Sequence, residues 1–385
     1  MWKRTSAARL RKLAREFPAV LVLGARQVGK TTLARTTFPK IPYCDLERPD
    51  LRALFAGDPG FQIRSRANPG LILDEAQTVP AAFAALRGII DEDRRKNGRF
   101  VLLGSAQPGL VRAVSESLAG RVGILELDPL TAAETAAGTP KRTWRQMWLA
   151  GGFPDAVRGD FRTWWESFLR TYLERDLPAL EVAADPVFMR RLLTMLAHAQ
   201  GGLLNASRLG ASLGVSYHTV QRYLDVLERT FVVRRLPPYH RNVGKRLVKA
   251  PKLYLRDTGL VHHLLNIGSL DQVTNHPILG ASWETFALEE LIRREKNAYP
   301  HSQFYFWRTN VGVEVDLIID RGSTRIAVEI KTGNGARPEV VRQLGTAMRD
   351  IRAQTAWIID QDKGEDPLAP NIRRRGLPDD LGWLP

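Results

Sequence analysis

The sequence predicts a multidomain α/β protein. At 385 residues it exceeds one ordinary domain. Its first third holds short continuous apolar runs at 19–23, 71–73 and 100–103, which suit strands buried on both faces. Later the pattern changes twice, to paired helices with two strands over 203–256 and to a strand-rich stretch after 304. Hydrophobic residues at 44% and charged residues at 25% are the balance of a folded chain. The one cysteine, Cys44, excludes an internal disulfide framework and a cysteine-based zinc cluster. No apolar run is long enough to span a bilayer, and the first twenty residues lack the apolar stretch of a secretory signal. The expectation is a cytoplasmic protein with no membrane partner.

Residues 19–23, Ala-Val-Leu-Val-Leu, run directly into Gly24-Ala-Arg-Gln-Val-Gly29-Lys30-Thr31. This is G-x-x-x-x-G-K-[ST] with a strand before it and a helix, 31 to about 37, after it. Gly24 and Gly29 let the backbone turn its N–H groups inward, so that Ala25, Arg26, Gln27, Val28 and Thr32 join them around phosphate oxygens. Lys30 brings a positive charge to the outer phosphates and Thr31 offers a hydroxyl to Mg²⁺. The helix aims its N-terminal dipole at the same anion. The pattern therefore calls for ATP with Mg²⁺.

Leu71-Ile72-Leu73-Asp74-Glu75 supplies the second half of such a site. Asp74 ends a strand, placed to hold Mg²⁺, and Glu75 follows, placed to polarise the attacking water. The strand at 100–103 leads into Gly104-Ser105-Ala106-Gln107, where Ser105, and after it Gln107, can read the γ-phosphate or serve simply as turn residues. Arg121, in Ser117-Leu-Ala-Gly-Arg121, can stabilise charge on the transferring phosphoryl group of a neighbouring subunit or form a surface salt bridge.

These motifs together resemble the AAA+-type ATPases of archaea and bacteria that carry a poorly characterised C-terminal half. The likeness continues through Gly151-Gly152-Phe153-Pro154, Tyr172-Leu-Glu-Arg-Asp176, Pro251-Lys-Leu-Tyr-Leu-Arg-Asp-Thr-Gly259 and Trp283-Glu284, so it covers nearly the whole chain. It implies an ATP-hydrolysing machine that self-associates, a hexameric ring being one such assembly. Such enzymes often carry two small hydroxyl residues after the third-strand glycine. Here Ser105 is followed by Ala106, so the sensor role rests on Ser105 alone.

Residues 131–195 lack strand runs and read as a helical lid. Trp164, Phe168 and Tyr172 recur on one helix face, which is the spacing of a core stripe. In this lid Arg175 can approach a nucleotide.

Net charge is +15, with 56 Lys and Arg against 41 Asp and Glu. Residues 1–20 hold six bases and one acid, net +5, and residues 201–260 hold eleven bases and three acids, net +8. Clustered positive charge is the footprint of a polyanion binder. The second segment also has a suitable shape. Asn205 caps a helix over 206–213, Gly214 breaks it, and Ser216 caps a second helix from 217 to about 228. Strands over 231–236 and 252–255 flank a basic loop. Two helices and a basic wing make a winged helix. The second helix offers Tyr217, His218, Gln221 and Arg222 to a groove, and the wing offers Arg241, Lys245, Arg246 and Lys249 to phosphates. Winged helices also serve as protein-contact modules, the alternative here.

In the last quarter, Gly280-Ala-Ser-Trp-Glu284 opens a helix reaching about Arg294. Strands follow over 304–307, 314–319 and 325–331, then a helix from about Pro338 and a strand at 356–359. This order, with D-x₁₂-E-x-K, resembles the PD-(D/E)XK nucleases, whose arrangement archaeal Holliday-junction resolvases share. The resemblance implies that Asp316 and Glu329 bind one or two Mg²⁺ or Mn²⁺ ions, that Glu284 completes the shell, and that Lys331 positions or deprotonates water. Glu329 and Lys331 alternate on a strand and so share a face.

The resulting architecture is a P-loop AAA+ core (1–130), a helical lid (131–195), a winged helix (196–262) and a restriction-endonuclease-like α/β domain (263–385). The expected function is a Mg²⁺-dependent, ATP-hydrolysing machine on duplex or branched DNA. An ATP-gated metal-dependent endonuclease and a nucleotide-switched regulatory scaffold that binds protein partners are the alternatives.

Overall fold

The chain, described in a computed structural model over residues 2–105, 108–180, 185–239, 249–309, 312–333 and 337–377, divides into two units. One is Met1–Leu130 with Arg229–Phe231, the other Thr131–Glu228 with Val232–Pro385. Among the described residues no helix is long and apolar enough to cross a membrane.

The first unit is a parallel sheet of β1 (Ala19–Leu23), β2 (Tyr43–Asp45), β3 (Leu71–Asp74), β4 (Phe100–Gly104) and β5 (Val122–Glu126), in the order β2-β3-β4-β1-β5. Every residue of β1, β3 and β4 is buried, as their continuous apolar runs require. The sequence gives no sign of β2, three residues long, or of β5, whose Gly123 and half-exposed Ile124 break the apolar run. Gly123 is needed at that point, because a Cβ there would lie 2.7 Å from the Phe17 ring. Parallel register carries the C-terminal ends of β1, β3 and β4 to one edge of the sheet, where the loops that follow them gather.

Among the described residues the second unit begins, as expected, with helices and no strand: Ala132–Ala136, Trp144–Ala150, Pro154–Arg158, Phe161–Thr171 and Pro186–His198. Thr131 and Thr143 open the first two with full capping boxes. The aromatic stripe is core: Trp164 stacks on Phe168 at 5.2 Å and Phe168 on Tyr172 at 5.9 Å. Asp257, buried, accepts from the amides of Gly152 and Gly259, each at 2.9 Å, and so ties two of the glycine-containing motifs together. Gly151, at φ 85°, has no room for a side chain, since a Cβ would fall 1.7 Å from Asp257 Oδ1.

Helix Ala206–Leu213 is capped by Asn205 and ends at Gly214 in the left-handed region; helix Tyr217–Arg229 follows. β6 (Val233–Leu236) and β7 (Lys252–Leu255) pair antiparallel, Leu236 opposite Lys252. β6 starts two residues later than the apolar pattern suggested. A six-stranded mixed sheet then follows from β8 (Gln303–Arg308), β9 (Glu314–Asp320), β10 (Arg325–Ile330), β11 (Thr355–Asp360), β12 (Glu365–Ala369) and β13 (Ile372–Gly376). Its order is β12-β13-β11-β10-β9-β8. Helix Pro338–Ile351 covers it through Leu344, Ala347 and Ile351. Helix Leu279–Ala298 runs against β9 and β10, and Glu284 lies in its second turn. The stretch after β6 joins this sheet, with Tyr239 N–H donating to Phe306 O on β8 at 2.7 Å. That pairing sets β6 against β8, and the side chain of Lys252 at the start of β7 reaches Glu314 and Asp316 on β9.

Candidate active site

β1 delivers the chain to the loop Gly24–Gly29 at the gathering edge of the first sheet. Gly24 has a second reason to be glycine besides the turn, since a Cβ would approach the Leu127 carbonyl to 2.5 Å. Gln27 (φ 60°) and Gly29 (φ 96°) take the left-handed conformations that curl the loop. Ala25 and Val28 are buried, Arg26 pairs with Glu47 at 2.9 Å, and Thr32 is exposed on the first turn of helix Lys30–Thr37. Lys30 is buried, and its ammonium donates to the carbonyls of Gly24 (3.1 Å) and Ala25 (2.9 Å). Arg4 donates to Val28 O at 3.0 Å and to Asp128 O, and Arg9 is half-buried near Glu126 and Asp128. Part of the N-terminal basic cluster is therefore turned inward.

Thr31 Oγ1 donates to Asp74 Oδ2 at 2.6 Å, and the Tyr43 hydroxyl donates to the same oxygen at 2.9 Å. Asp74 Oδ1 accepts from the Glu75 amide at 3.0 Å. A threonine hydroxyl beside a carboxylate is an oxygen donor pair suited to a hard cation such as Mg²⁺, so Thr31 and Asp74 would hold it with the nucleotide phosphates. Tyr43 was not legible as a site residue, because its strand is three residues long and carries no motif. Burial and the Asp74 charge push its phenol well above the usual range.

Glu75 adopts a left-handed backbone, φ 48° and ψ 46°, directly after β3. Burial raises its carboxyl above the ordinary range, against the opposing pull of Lys30 and the Gln77 amide that donates to it. A desolvated carboxylate beside the phosphate loop is suited to accept a proton from water. Ser105 stands at the end of β4, its Oγ buried without a hydrogen-bond partner, a polar atom left available to a ligand. Gln107 lies outside the described residues. Arg121 is bound within the chain: Nε and one NH2 hold both Asp91 oxygens, each at 2.8 Å. That is the salt-bridge arrangement.

In the second unit, Glu284, Asp316, Glu329 and Lys331 do gather, with three residues the motif did not include, Lys252, Tyr254 and Glu314. Lys252 Nζ sits 3.0 Å from Glu284 Oε1 and 3.3 Å from Asp316 Oδ1, and it also contacts Glu314. Tyr254 donates to Glu284 Oε1 at 2.6 Å, and Ile330 N–H to Asp316 Oδ2 at 2.8 Å. Lys331 pairs with Glu329 Oε1, while Glu329 Oε2 is buried without a partner. Burial, then Asp316, raises Glu284 to about 7 and Glu329 to about 8. Among the described residues, no group of three or more His, Cys, Asp and Glu side chains is placed to hold a metal ion.

On helix Tyr217–Arg229, Tyr217 is 47% exposed, and His218 and Arg222 are exposed. Gln221 bonds Tyr217 OH at 3.0 Å and Arg235 at 3.3 Å. Lys249 is exposed, whereas Arg241, Lys245 and Arg246 lie outside the described residues. Not all of the positive charge over 201–260 faces out. Arg234 and Arg256 surround buried Glu289, Arg235 binds Asp225 and Glu228, and Lys252 is in the carboxylate cluster.

Residues 16–136 match the family model of an AAA domain, residues 141–271 that of a domain of unknown function (DUF8612), and residues 279–372 that of another (DUF4143). Two relatives, the uncharacterized protein Rv2008c of Mycobacterium tuberculosis and the uncharacterized protein Mb2031c of Mycobacterium bovis, are each 38% identical over 377 residues, spanning 96% of this chain and 82% of theirs. Among solved structures, the Walker-type ATPase PABY2304 of Pyrococcus abyssi is 16% identical, covering 69% of this chain and 96% of that one, with a TM-score of 0.45. The RuvB Holliday junction branch migration motor of Thermotoga maritima is 22% identical, covering 61% and 90%, with a TM-score of 0.33. The chain belongs to the family of these mycobacterial proteins, and with its AAA domain and phosphate loop it is a P-loop ATPase of the AAA type.

Proposed function

We propose that the protein is a Mg²⁺-dependent ATPase machine of the cytoplasm that assembles into an oligomer and acts on duplex or branched DNA. The observation that carries the DNA reading is the outer face of helix Tyr217–Arg229. Tyr217, His218 and Arg222 stand exposed there, on the second helix of a helix–turn–helix that leads into the antiparallel pair β6–β7. In a winged helix this face enters a groove and the residues of the wing, Lys249 among them, meet phosphates. The helices over 131–195 act as the lid, and the six-stranded sheet with its two helices is a nuclease-like platform.

In ATP hydrolysis the loop amides and Lys30 bind the phosphates, Glu75 accepts a proton from water, and Ser105 orients that water or the γ-phosphate. Bound Mg²⁺ offsets negative charge on the outer phosphates. Arg121 serves a neighbouring subunit after exchanging Asp91 for phosphate.

Fluorescence anisotropy with duplex, forked and four-way-junction DNA at several salt concentrations, alongside ATPase rates, tests the reading. Binding should weaken steeply with salt, and DNA should stimulate turnover. Arg222→Glu should lower affinity or change which DNA is preferred. Absence of binding to all three DNAs would move helix Tyr217–Arg229 to protein contact and favour a regulatory ATPase.

A further inference from the structure

We propose that Lys252 is the resident cation of the C-terminal carboxylate cluster, and that its ammonium closes the cluster to divalent metal. A nuclease of this topology needs carboxylate oxygens free to converge on an ion. Here they converge on Nζ of Lys252, with Glu284 Oε1 at 3.0 Å, Asp316 Oδ1 at 3.3 Å and Glu314 also in contact. The remaining oxygen of Asp316 is taken by the Ile330 amide, and Tyr254 adds a second donor to Glu284 Oε1. Arg308 lies 3.1 Å from the second oxygen of Glu314, and Lys331 holds one oxygen of Glu329. Three cationic side chains thus face four carboxylates, and a divalent ion entering the cluster would meet them at close range. Glu329 Oε2 is a buried acceptor with no partner, and one such oxygen is not a metal shell.

The position of Lys252 follows from the fold. Register places it opposite Leu236 at the start of β7, and the pairing of Tyr239 with Phe306 draws β6, the partner of β7, against β8. Its side chain is 3% exposed and lies 5.8 Å from the Phe306 ring. It is a fixed internal charge, in contrast to a surface lysine that could swing away. The nuclease-like half is then held together by an ion-pair knot in the place where the fold would put its catalytic metal.

Titration of the nucleotide-free full chain with Mn²⁺, read by loss of the free-ion electron paramagnetic resonance signal, tests this in an Asp74→Asn background that disables the ATP-site metal. The parent should bind no Mn²⁺ in a manner sensitive to Asp316→Asn. Lys252→Met should gain one Mn²⁺ per chain, with affinity at least roughly 100-fold above the parent's, because a like charge about 3 Å from the ion has been removed. Asp316→Asn should abolish that gain. The double variant Lys252→Met/Glu314→Gln removes an acid together with the ammonium, which guards against failure to fold, and it should gain the same site. Lys252→Arg, which keeps the charge, should stay closed. Binding by the parent that Asp316→Asn removes, or a folded double variant that gains none, would overturn the proposal.

Discussion

The hydroxyl of Thr31 and the carboxylate of Asp74 are joined by a 2.6 Å hydrogen bond, which links the first turn after the phosphate loop to the last residue of β3. Forty-three positions along the chain separate the two, and the parallel register of β1, β4 and β3 brings the ends of their strands to one edge where they meet. The pair proposed to hold Mg²⁺ is therefore assembled by the sheet, and the phosphate loop is braced by Lys30 on its own carbonyls.

Lys30→Ala should abolish nucleotide-supported activity, because it removes the ammonium that meets the outer phosphates. Glu75→Gln should keep ATP bound and slow hydrolysis roughly 100-fold or more, the usual scale for losing a general base. Steady-state ATPase rates, measured beside equilibrium binding of a fluorescent ATP analogue, check both. Unimpaired turnover in either variant would sink the assignment.

Tyr43→Phe should retain ATP binding but raise the Mg²⁺ concentration for half-maximal ATPase about tenfold, as expected if Asp74, the carboxylate that it orients, holds the metal. An unchanged Mg²⁺ curve would leave Tyr43 with packing alone.

Arg121→Ala should lose hydrolysis and keep nucleotide. Mixing it with Glu75→Gln should restore activity wherever an intact arginine meets an intact site. Asp91→Asn separates this from a structural role: it releases the guanidinium and should preserve or raise ATPase if Arg121 works across a subunit boundary. No rescue in a demonstrated mixed oligomer would leave Arg121 as the partner of Asp91.

His262 gives the second unit a pH signature. The ring is buried between Leu149 O (2.9 Å) and Ser282 Oγ (2.7 Å). Burial, opposed by the Leu149 carbonyl and aided by His276, lowers its pKa to about 4. A base with a depressed folded pKa gives stability that is present above its unfolded value and lost as pH falls from about 6.5 to about 4. The loss is about 3 kcal/mol. Glu284 and Glu329, raised to about 7 and about 8, act oppositely, adding stability at low pH that is lost as pH rises through those values. The test is therefore a difference. In urea melts, the stability gap between wild type and His262→Gln should narrow by about that amount from pH 7 to pH 4. A constant gap would mean that the ring charges in place.

Motif and apolar pattern made much of the first unit readable. The runs at β1, β3 and β4 are continuous because both faces are buried, and Gly24, Lys30, Thr31, Asp74 and Glu75 lie at or just beyond the ends of β1 and β3. What escaped are elements stabilised by charge or by neighbours. β13 reads Ile-Arg-Arg-Arg-Gly, yet Arg374 is buried against Asp360 at 2.7 and 2.9 Å, so a strand that looks like a basic turn is internal. Lys252 misled in the same way. Composition counted it toward a basic surface, but its direction depends on register with β6 and on β8, some fifty residues onward. Counting charges gives their number, and only the fold gives where they point.

Asp257 has a consequence for how the second unit comes apart. Its carboxylate bridges amides at Gly152 and Gly259, the first of them 105 residues away along the chain. Neither amide can exchange its proton with solvent while that carboxylate is in place, and an opening that withdraws the carboxylate frees both. In native-state hydrogen exchange the two amides should therefore open with a common free energy and a common denaturant slope, as members of one cooperative unit. Because closing so long a loop costs entropy before the contact rewards it, that unit belongs among the late events of folding.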